Sequence, residues 1–308
     1  MSSDNHTEGI KVLVTGFGPF PRSDGTTYTK NSSHEITKLL PQALPPFSPF
    51  NPTSANISIL NPTATEGSAV KVEYAHIRNY TSALHSTHGN DVNLILHIGM
   101  ADGWDFISCE RRAYKQTFTS SWGSRVLGLL GRYYMIKDFA GKTVKDAGPC
   151  PWDDDVPMGL CTGLDVDQVV EGAGKTLKGM FGRDVRGHED GGTYCCGFIY
   201  YESLANKFTK GSTAEVLFCH VPGDLDQFSL RAGANSICAI IGAAASQLLE
   251  ERKHGASLRP VAAKSQEESV VAETATSTVS AQQRQRAMEM MASGYGGEQA
   301  LQATKFNA

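Results

Sequence analysis

The sequence predicts an α/β fold in which residues 10–259 form a single domain, with a mostly parallel twisted sheet flanked by helices as an open sandwich. Two short apolar segments, residues 10–16 and 92–98, have the length and composition of buried strands. A third, residues 216–221, is followed by a long helical pattern over residues 226–254. Strands that alternate with helices favour a parallel sheet covered on both faces. The composition, 40% hydrophobic and 19% charged residues, agrees with a sizeable core.

The first strand, Ile10–Gly16, runs into a loop that contains glycine. Ser32 and Glu35 then have the spacing of a capping box, which predicts a short helix that stops near Pro41. Residues 41–53 contain five prolines and are therefore predicted to form an extended loop.

The next elements follow from hydrophobic periodicity. Residues 70–77 alternate between apolar and polar side chains, which predicts a strand, and residues 79–88 fit a helix. After the strand over residues 92–98, the next clear helical pattern covers residues 165–180, and Asp165 is its expected N-cap.

Three segments fall outside this pattern. Residues 1–9 are polar, without the apolar region of a secretory signal, and are expected to be disordered. Residues 260–308 are rich in Ala, Ser, Thr, Gln and Glu, which predicts a disordered tail of low complexity. Residues 117–131 show neither strand alternation nor a helical face, and we interpret them as an insertion into the domain.

Charge and cysteine content argue against several classes of partner. The net charge of -4 gives no electrostatic reason to expect nucleic acid or an anionic membrane. No apolar run approaches the roughly 18 residues that a membrane span needs. The seven cysteines are odd in number and irregularly spaced, which favours reduced thiols in a cytoplasmic protein over a disulfide framework. No C-x-x-C pair occurs, so neither a metal nor a cofactor is expected.

Two glycine-containing segments resemble nucleotide-binding loops without matching them. Gly172–Thr176 resembles the end of a P-loop, but Val169 stands where that pattern needs glycine, and the segment lies within a predicted helix. Gly16–Gly18 follows a strand, as a dinucleotide fingerprint does, but Pro21 replaces the third glycine. A nucleotide-binding protein is therefore the weakest of the function classes considered.

A cysteine pair at the start of a predicted helix is the strongest candidate for chemistry. A turn that contains glycine precedes Cys195 and Cys196, and Phe198, Tyr201 and Leu204 follow with the spacing of one helical face. A cysteine at a helix N-terminus meets the positive end of the dipole and free backbone N–H groups, which favour the nucleophilic thiolate. The alternative, that both are ordinary buried cysteines, stays open at this point.

His220 and Glu110 are further candidates. His220 ends a buried strand just before Pro222, where a side chain can reach a cleft at the strand ends. A structural histidine is the alternative. Glu110 can either orient an imidazole or pair with Arg111 or Arg112, and the local sequence does not distinguish these roles.

Together these stretches resemble the pyroglutamyl-peptidase I family of cysteine peptidases. The similarity consists of an N-terminal strand with a G-F-x-P-F-like loop, a glutamate motif, a G-x-Y-x-C motif and an H-V-P motif, in the family's order. In this chain they are Lys11–Phe20, His97–Gly99 with Glu110–Ala113, Gly192–Tyr201 and Phe218–Pro222. The resemblance covers roughly residues 10–250 and implies the same α/β fold.

The resemblance implies an omega-peptidase that hydrolyses the amide bond after an N-terminal pyroglutamyl residue, through an acyl-enzyme. It implies Cys196 as the nucleophile, His220 as general base and then acid, and Glu110 as the group that orients His220. Phe17 and Phe20 would sandwich the pyroglutamyl ring. The implied partners are peptides with N-terminal pyroglutamate, and whether the chain forms a homo-oligomer is open.

The chain also departs from the family's pattern. Cys195 falls on a variable position of the cysteine motif and is not expected to be catalytic. Met100 takes a substrate-binding position where the family commonly has a polar residue, often Gln. The loop after Phe20 reads Pro21–Thr26 in place of Gly and an Asn-Pro pair. These departures define the alternative function, a catalytically altered or inactive relative with a rebuilt substrate pocket.

Overall fold

The structure is a computed structural model that describes residues 9–21, 26–115, 136–253 and 261–262. Its strands are β1 Ile10–Gly16, β2 Phe20–Pro21, β3 Thr27–Tyr28, β4 Ala43–Leu44, β5 Ile57–Leu60, β6 Leu94–Ala101, β7 Ile107–Tyr114, β8 Gly159–Cys161, β9 Val185–Asp190, β10 Glu215–Pro222 and β11 Val261–Ala262. The helices are α1 Ser32–Lys38, α2 Tyr74–His88, α3 Val166–Leu177, α4 Cys195–Lys210 and α5 Gln227–Lys253, with a short 3-10 helix at Val144–Ala147.

Over the described residues, one nine-stranded sheet organises these elements. Its order is β11-β8-β7-β10-β6-β1-β5-β4, with β9 paired to β7, while β2 and β3 pair separately. The four central strands β5, β1, β6 and β10 are mutually parallel. β7 runs antiparallel to β10, and β9 runs parallel to β7. The predicted α/β fold with a mostly parallel sheet is confirmed, and antiparallel strands extend it at both edges.

Helices cover both faces of the sheet. Helices α1, α3 and α5 pack together on one face, and α2 and α4 pack together on the other. The core of the first face contains Leu217 and Cys219 of β10, and the core of the second contains Val216 and Phe218. Successive side chains of β10 therefore point to opposite faces, as they do in a pleated strand.

Helix α5 is long and apolar enough to cross a membrane by length and composition. However, 72% of its most apolar window is buried inside the fold. Its buried side chains, such as Ile237 and Ile241, belong to the core of the first face. This pattern is typical of the core helix of a globular protein.

The predicted strands over residues 10–16, 92–98 and 216–221 correspond to β1, β6 and β10. The predicted helices over residues 165–180 and 226–254 correspond to α3 and α5. The side chain of Asp165 caps α3 by accepting a hydrogen bond from the backbone of Gln168.

The predicted strand over residues 70–77 is wrong. Within the described part of the chain, Val70 pairs with Phe17 as an isolated bridge, and α2 begins at Tyr74. The backbone N–H of Tyr74 donates to Asp138 Oδ2 at 2.9 Å, which helps to fix this start. Val70, Val72 and Tyr74 alternate with polar residues as a strand would, but Tyr74 and Ile77 are buried three residues apart on one face of the helix that follows.

Two smaller expectations near the N-terminus are also corrected. The N-cap of α1 is Asn31 and not Ser32. The side chain of Asn31 accepts a hydrogen bond from the backbone N–H of Ser33. Ser32 instead donates its hydroxyl to the Pro222 carbonyl at 2.5 Å. The proline-rich loop over residues 41–53 includes the short strand β4, which extends the edge of the sheet.

Several predictions concern residues that the structure describes only in part. Residues 1–8, the segment 117–131 interpreted as an insertion, and residues 263–308 of the predicted tail lie outside the described residues. Within the range predicted as tail, Val261–Ala262 forms β11 and pairs antiparallel with β8.

Candidate active site

The face on which His220 lies follows from the pleat of β10. His220 has the same parity as Phe218, whose ring belongs to the core beneath α2 and α4. The two rings lie 4.8 Å apart between centroids. His220 is 5% exposed, and it therefore sits between the sheet and the start of α4.

Cys196 is the second residue of α4, which begins at Cys195. The turn before the helix depends on Gly192, which has φ of +80° and donates its N–H to Asp190 Oδ1 at 2.8 Å. The N-cap residue, Tyr194, makes no side-chain cap hydrogen bond. The first N–H groups of a helix have no partner within it, so the start of α4 can stabilise negative charge at or near the thiol.

The thiol reaches the sheet over a glycine. Gly99 of β6 pairs in register with His220 of β10. A Cβ built on Gly99 would lie 2.8 Å from Cys196 Sγ, closer than side chains pack. The absence of a side chain at Gly99 therefore lets the thiol lie beside His220, close enough to raise the pKa of that imidazole.

Glu110 lies on β7, the antiparallel neighbour of β10, and is fully buried. Its Oε1 accepts a hydrogen bond from His220 Nδ1 at 2.8 Å and another from Ser108 Oγ at 2.5 Å. The predicted residues Cys196, His220 and Glu110 thus form a continuous chain of interacting side chains: the thiol raises the pKa of His220, and His220 donates to Glu110. Such a chain can carry a proton from a thiol to an imidazole that a carboxylate orients.

The interactions among these side chains favour the charged forms of His220 and Glu110. Burial alone would lower the pKa of His220, but the hydrogen bonds and charges of Cys196 and Glu110 outweigh it and raise the pKa to about 10. Burial alone would raise the pKa of Glu110, but hydrogen bonds from His188 and His220 lower it to about 2. At neutral pH, Glu110 is therefore ionised and His220 is protonated.

His188 was not among the residues that the sequence singled out. It lies on β9, directly opposite Glu110 of the parallel strand β7. Its Nδ1 is 2.6 Å from Glu110 Oε2, so the carboxylate binds a histidine on each oxygen. In the sequence, His188 stands two residues before Asp190 in a polar segment without apolar periodicity, and this pattern did not mark it as a site residue.

Two of the three predicted substrate-binding residues, Phe17 and Phe20, pack in the same apolar cluster as Cys196, whereas Met100 shares the opposite face of the sheet with Val221. Phe17 is buried and Phe20 is partly buried, and both pack in the apolar cluster that also contacts Cys196. The ring of Phe20 stacks on Tyr28 with centroids 4.7 Å apart. Met100 follows Gly99 on β6, is 6% exposed, and pairs in register with Val221.

The structure separates the two adjacent cysteines. Cys195 is 1% exposed and packs in the apolar cluster with Phe198. Burial raises its pKa well above the usual range, which opposes formation of a thiolate. Cys196, one residue on, is only partly buried and faces His220.

Two further expectations concern metals and nucleotides. Among the described residues, no group of three or more His, Cys, Asp or Glu side chains could hold a metal ion. The P-loop-like segment Gly172–Thr176 lies inside α3, as predicted, and not between a strand and a helix.

Comparison with known proteins gives a match at the level of the fold. No family model matches the sequence, and no curated protein does. A mutant pyrrolidone carboxyl peptidase from Pyrococcus furiosus is 18% identical, with a TM-score of 0.55 over 78% of this chain and 100% of that one. The enzyme from Thermococcus litoralis is 17% identical, with a TM-score of 0.54 over 82% and 99%.

Bacillus amyloliquefaciens pyroglutamyl peptidase I is 21% identical, with a TM-score of 0.53 over 78% of this chain and 98% of that one. At such low identity, this likeness establishes the shared fold alone. The chain thus has the fold of proteins described as pyrrolidone carboxyl or pyroglutamyl peptidases.

Proposed function

We propose that this chain is a cysteine-type omega-peptidase that hydrolyses the amide bond after an N-terminal L-pyroglutamyl residue. The observation that carries the proposal is the series of Cys196, His220 and Glu110 at the start of α4, in which the thiol raises the pKa of His220 and His220 Nδ1 donates to Glu110. The shared fold with pyroglutamyl peptidases supports the choice of substrate. A free thiol must be maintained, so we expect the enzyme to work in the cytoplasm.

The residues divide the reaction into two steps. Cys196 Sγ attacks the carbonyl carbon of the pyroglutamyl residue, and the imidazolium of His220 gives its proton to the departing amine, which leaves a thioester. Water then attacks the thioester while His220 takes its proton. The thiolate leaves, and free pyroglutamate is released.

Two other groups assist these steps. Glu110 accepts from His220 Nδ1, which directs Nε2 towards the reacting atoms and stabilises the imidazolium. Backbone N–H groups in the first turn of α4 can bind the oxyanion that forms as the thiol adds.

The apolar surroundings suit a blocked N-terminus. The pyroglutamyl lactam is small, flat and neutral, and Phe17 and Phe20 belong to the apolar cluster that packs against Cys196. A free α-amino group is charged, and its desolvation against such a surface would be unfavourable. Discrimination between blocked and free N-termini therefore needs no charged receptor.

A fluorogenic L-pyroglutamyl amide tests the proposal. The full chain is expected to release the fluorophore, iodoacetamide should abolish the activity, and Cys196→Ala should remove it with little change in stability. Cys195→Ala is the matched control, because that thiol packs in the apolar cluster and should be dispensable for turnover. An active Cys196→Ala protein, or an alkylatable Cys196 with no turnover of this substrate, would contradict the proposal.

A further inference from the structure

The carboxylate of Glu110 holds two imidazoles at once. His220 and Ser108 both donate to Oε1, while His188 Nδ1 approaches Oε2 at 2.6 Å. The side chain of Glu110 is 0% exposed and that of His220 is 6% exposed, but that of His188 is 26% exposed. His188 is therefore the member of this assembly that meets solvent.

The ring of His188 is fixed by its surroundings. Its backbone pairs opposite Glu110, and its Nδ1 also lies 3.2 Å from the Asp190 carbonyl oxygen. Trp104, 6% exposed, presents its ring to His188 at 5.2 Å and to His220 at 5.7 Å. A single aromatic side chain therefore packs against both imidazoles that bind Glu110.

We propose that His188 is a positioning residue for this reaction: it locks the carboxylate of Glu110 in the orientation that serves His220. The proposal rests on the function proposed above. A carboxylate bound through Oε1 alone can turn about its terminal bond, and it would leave Oε2 buried without a hydrogen bond, which is unfavourable. A donor on each oxygen removes that freedom.

The charges that face His188 come from three strands. Glu110 lies opposite on β7, His220 lies beyond it on β10, and Asp190 lies on the same strand as His188. Trp104 packs on the ring without charge. Burial by itself would lower the pKa of His188, but the hydrogen bond and charge of Glu110 outweigh it, so the pKa is raised above 6.5.

The charge state of His188 affects the pair of Cys196 and His220. Below its pKa, His188 is positive and shares the negative charge of Glu110 with His220. Above that pKa, His188 is neutral, and Glu110 stabilises the His220 imidazolium more strongly. The reactivity of the thiol should therefore follow a second ionisation, at a pH above 6.5, besides the ionisation of the Cys–His pair itself.

Two substitutions separate the hydrogen bond from the charge. His188→Asn keeps a neutral N–H donor near the position of Nδ1, and His188→Ala removes the donor. We expect His188→Ala to lower kcat for the L-pyroglutamyl amide roughly ten- to a hundredfold, the effect of losing a hydrogen bond to a buried charge, with KM unchanged. His188→Asn should recover most of kcat. His76→Asn is a matched control, because that ring stacks on Tyr80 in α2.

The rate of Cys196 alkylation by iodoacetamide, followed against pH, is the second measurement. The wild type should show two ionisations, and both His188 variants should lose the one above pH 6.5, while the control keeps it. Wild-type kcat in His188→Ala, or an unchanged alkylation profile, would overturn the proposal. Equal losses of kcat in the Ala and Asn variants with a lowered Tm would also overturn it, since that pattern indicates a structural role.

Alkylation also separates this proposal from the proposed function. If the wild type does not cleave the substrate but its thiol profile changes as expected in the variants, the peptidase proposal fails and the link from His188 to the Cys–His pair stands.

Discussion

Replacing Gly99 with alanine tests whether the close approach of the thiol to the sheet matters. A Cβ at this position would lie 2.8 Å from Cys196 Sγ and 2.7 Å from Phe218 Cζ. To restore an ordinary contact of 3.4 Å, the sulfur must move by about 0.6 Å. The ring of Phe218 is fully buried and has little room to yield. The substitution therefore overpacks the site and displaces the thiol from His220.

Both effects have an expected size. Overpacking of a buried site costs about 1–3 kcal/mol of the free energy of unfolding. A misplacement of about 1 Å at a reacting atom can lower the rate roughly a hundredfold, so a shift of this size should lower kcat roughly tenfold or more. Gly99→Ala should also slow the alkylation of Cys196 by iodoacetamide, because the displaced thiol interacts less strongly with His220.

The assays are urea unfolding followed by circular dichroism, turnover of the L-pyroglutamyl amide, and the alkylation rate. Gly174→Ala is the matched control, because this glycine lies inside α3 and a Cβ there meets nothing within 4 Å. That variant should keep its activity and gain roughly 0.5–1 kcal/mol of stability, since alanine is the better helix former. Wild-type turnover and alkylation in Gly99→Ala would refute the reasoning.

Further predictions concern three other buried residues, Glu110, Lys207 and Asn31. Glu110→Gln should lower turnover by up to about 10⁴-fold and leave Cys196 alkylatable, because the amide cannot stabilise the imidazolium. Because the pKa of Glu110 falls from 4.5 to about 2 on folding, its contribution to stability is complete above pH 4.5 and is lost as the pH falls towards 2. Measuring the free energy of unfolding of the wild type and of Glu110→Gln at decreasing pH tests this loss. Lys207→Met should cost about 3–5 kcal/mol in urea unfolding, because it leaves the carboxylate of Glu215 buried without its ion pair, and Lys207→Met with Glu215→Leu should be less destabilised. Asn31→Ala should cost about 1 kcal/mol in the same assay, because α1 loses its N-cap.

The predictable parts of the fold are the elements whose own sequence shows an apolar run, a helix cap or an apolar periodicity. β1, β6 and β10 are short apolar runs because parallel central strands are buried on both faces. Helices α3 and α5 have a cap or a long apolar period. These elements are buried against several neighbours, and this burial requires apolar side chains that are visible in the sequence.

β7 and β9 were not predicted because their sequences contain no such apolar run. β7 contains Glu110, Arg111 and Arg112 in succession, and the two arginines form ion pairs with acidic side chains of neighbouring elements. β9 is mostly polar and only partly buried. Each strand is stabilised by pairing with a partner distant in sequence, so composition and periodicity could not reveal it.

The same limit explains why Cys196, His220 and Glu110 were predicted as candidates and His188 was not. Cys196 and His220 stand at the ends of predictable elements, and Glu110 was identified through the resemblance. His188 becomes a neighbour of Glu110 only because β9 pairs in parallel with β7. Its role depends on a strand pairing that the sequence did not predict.

Strand register finally decides which side chains can meet. In the antiparallel pairing of β7 with β10, Glu110 lies opposite Phe218, and Ser108 lies opposite His220. These four side chains share one face, so His220 is the diagonal neighbour of Glu110 and lies within reach of its carboxylate. The intervening pair, two cysteines, points to the opposite face, where their sulfur atoms lie 3.6 Å apart. A slip of one residue would exchange the two faces and place thiols where the histidine and the carboxylate now meet, so the site depends on the register as much as on the residues.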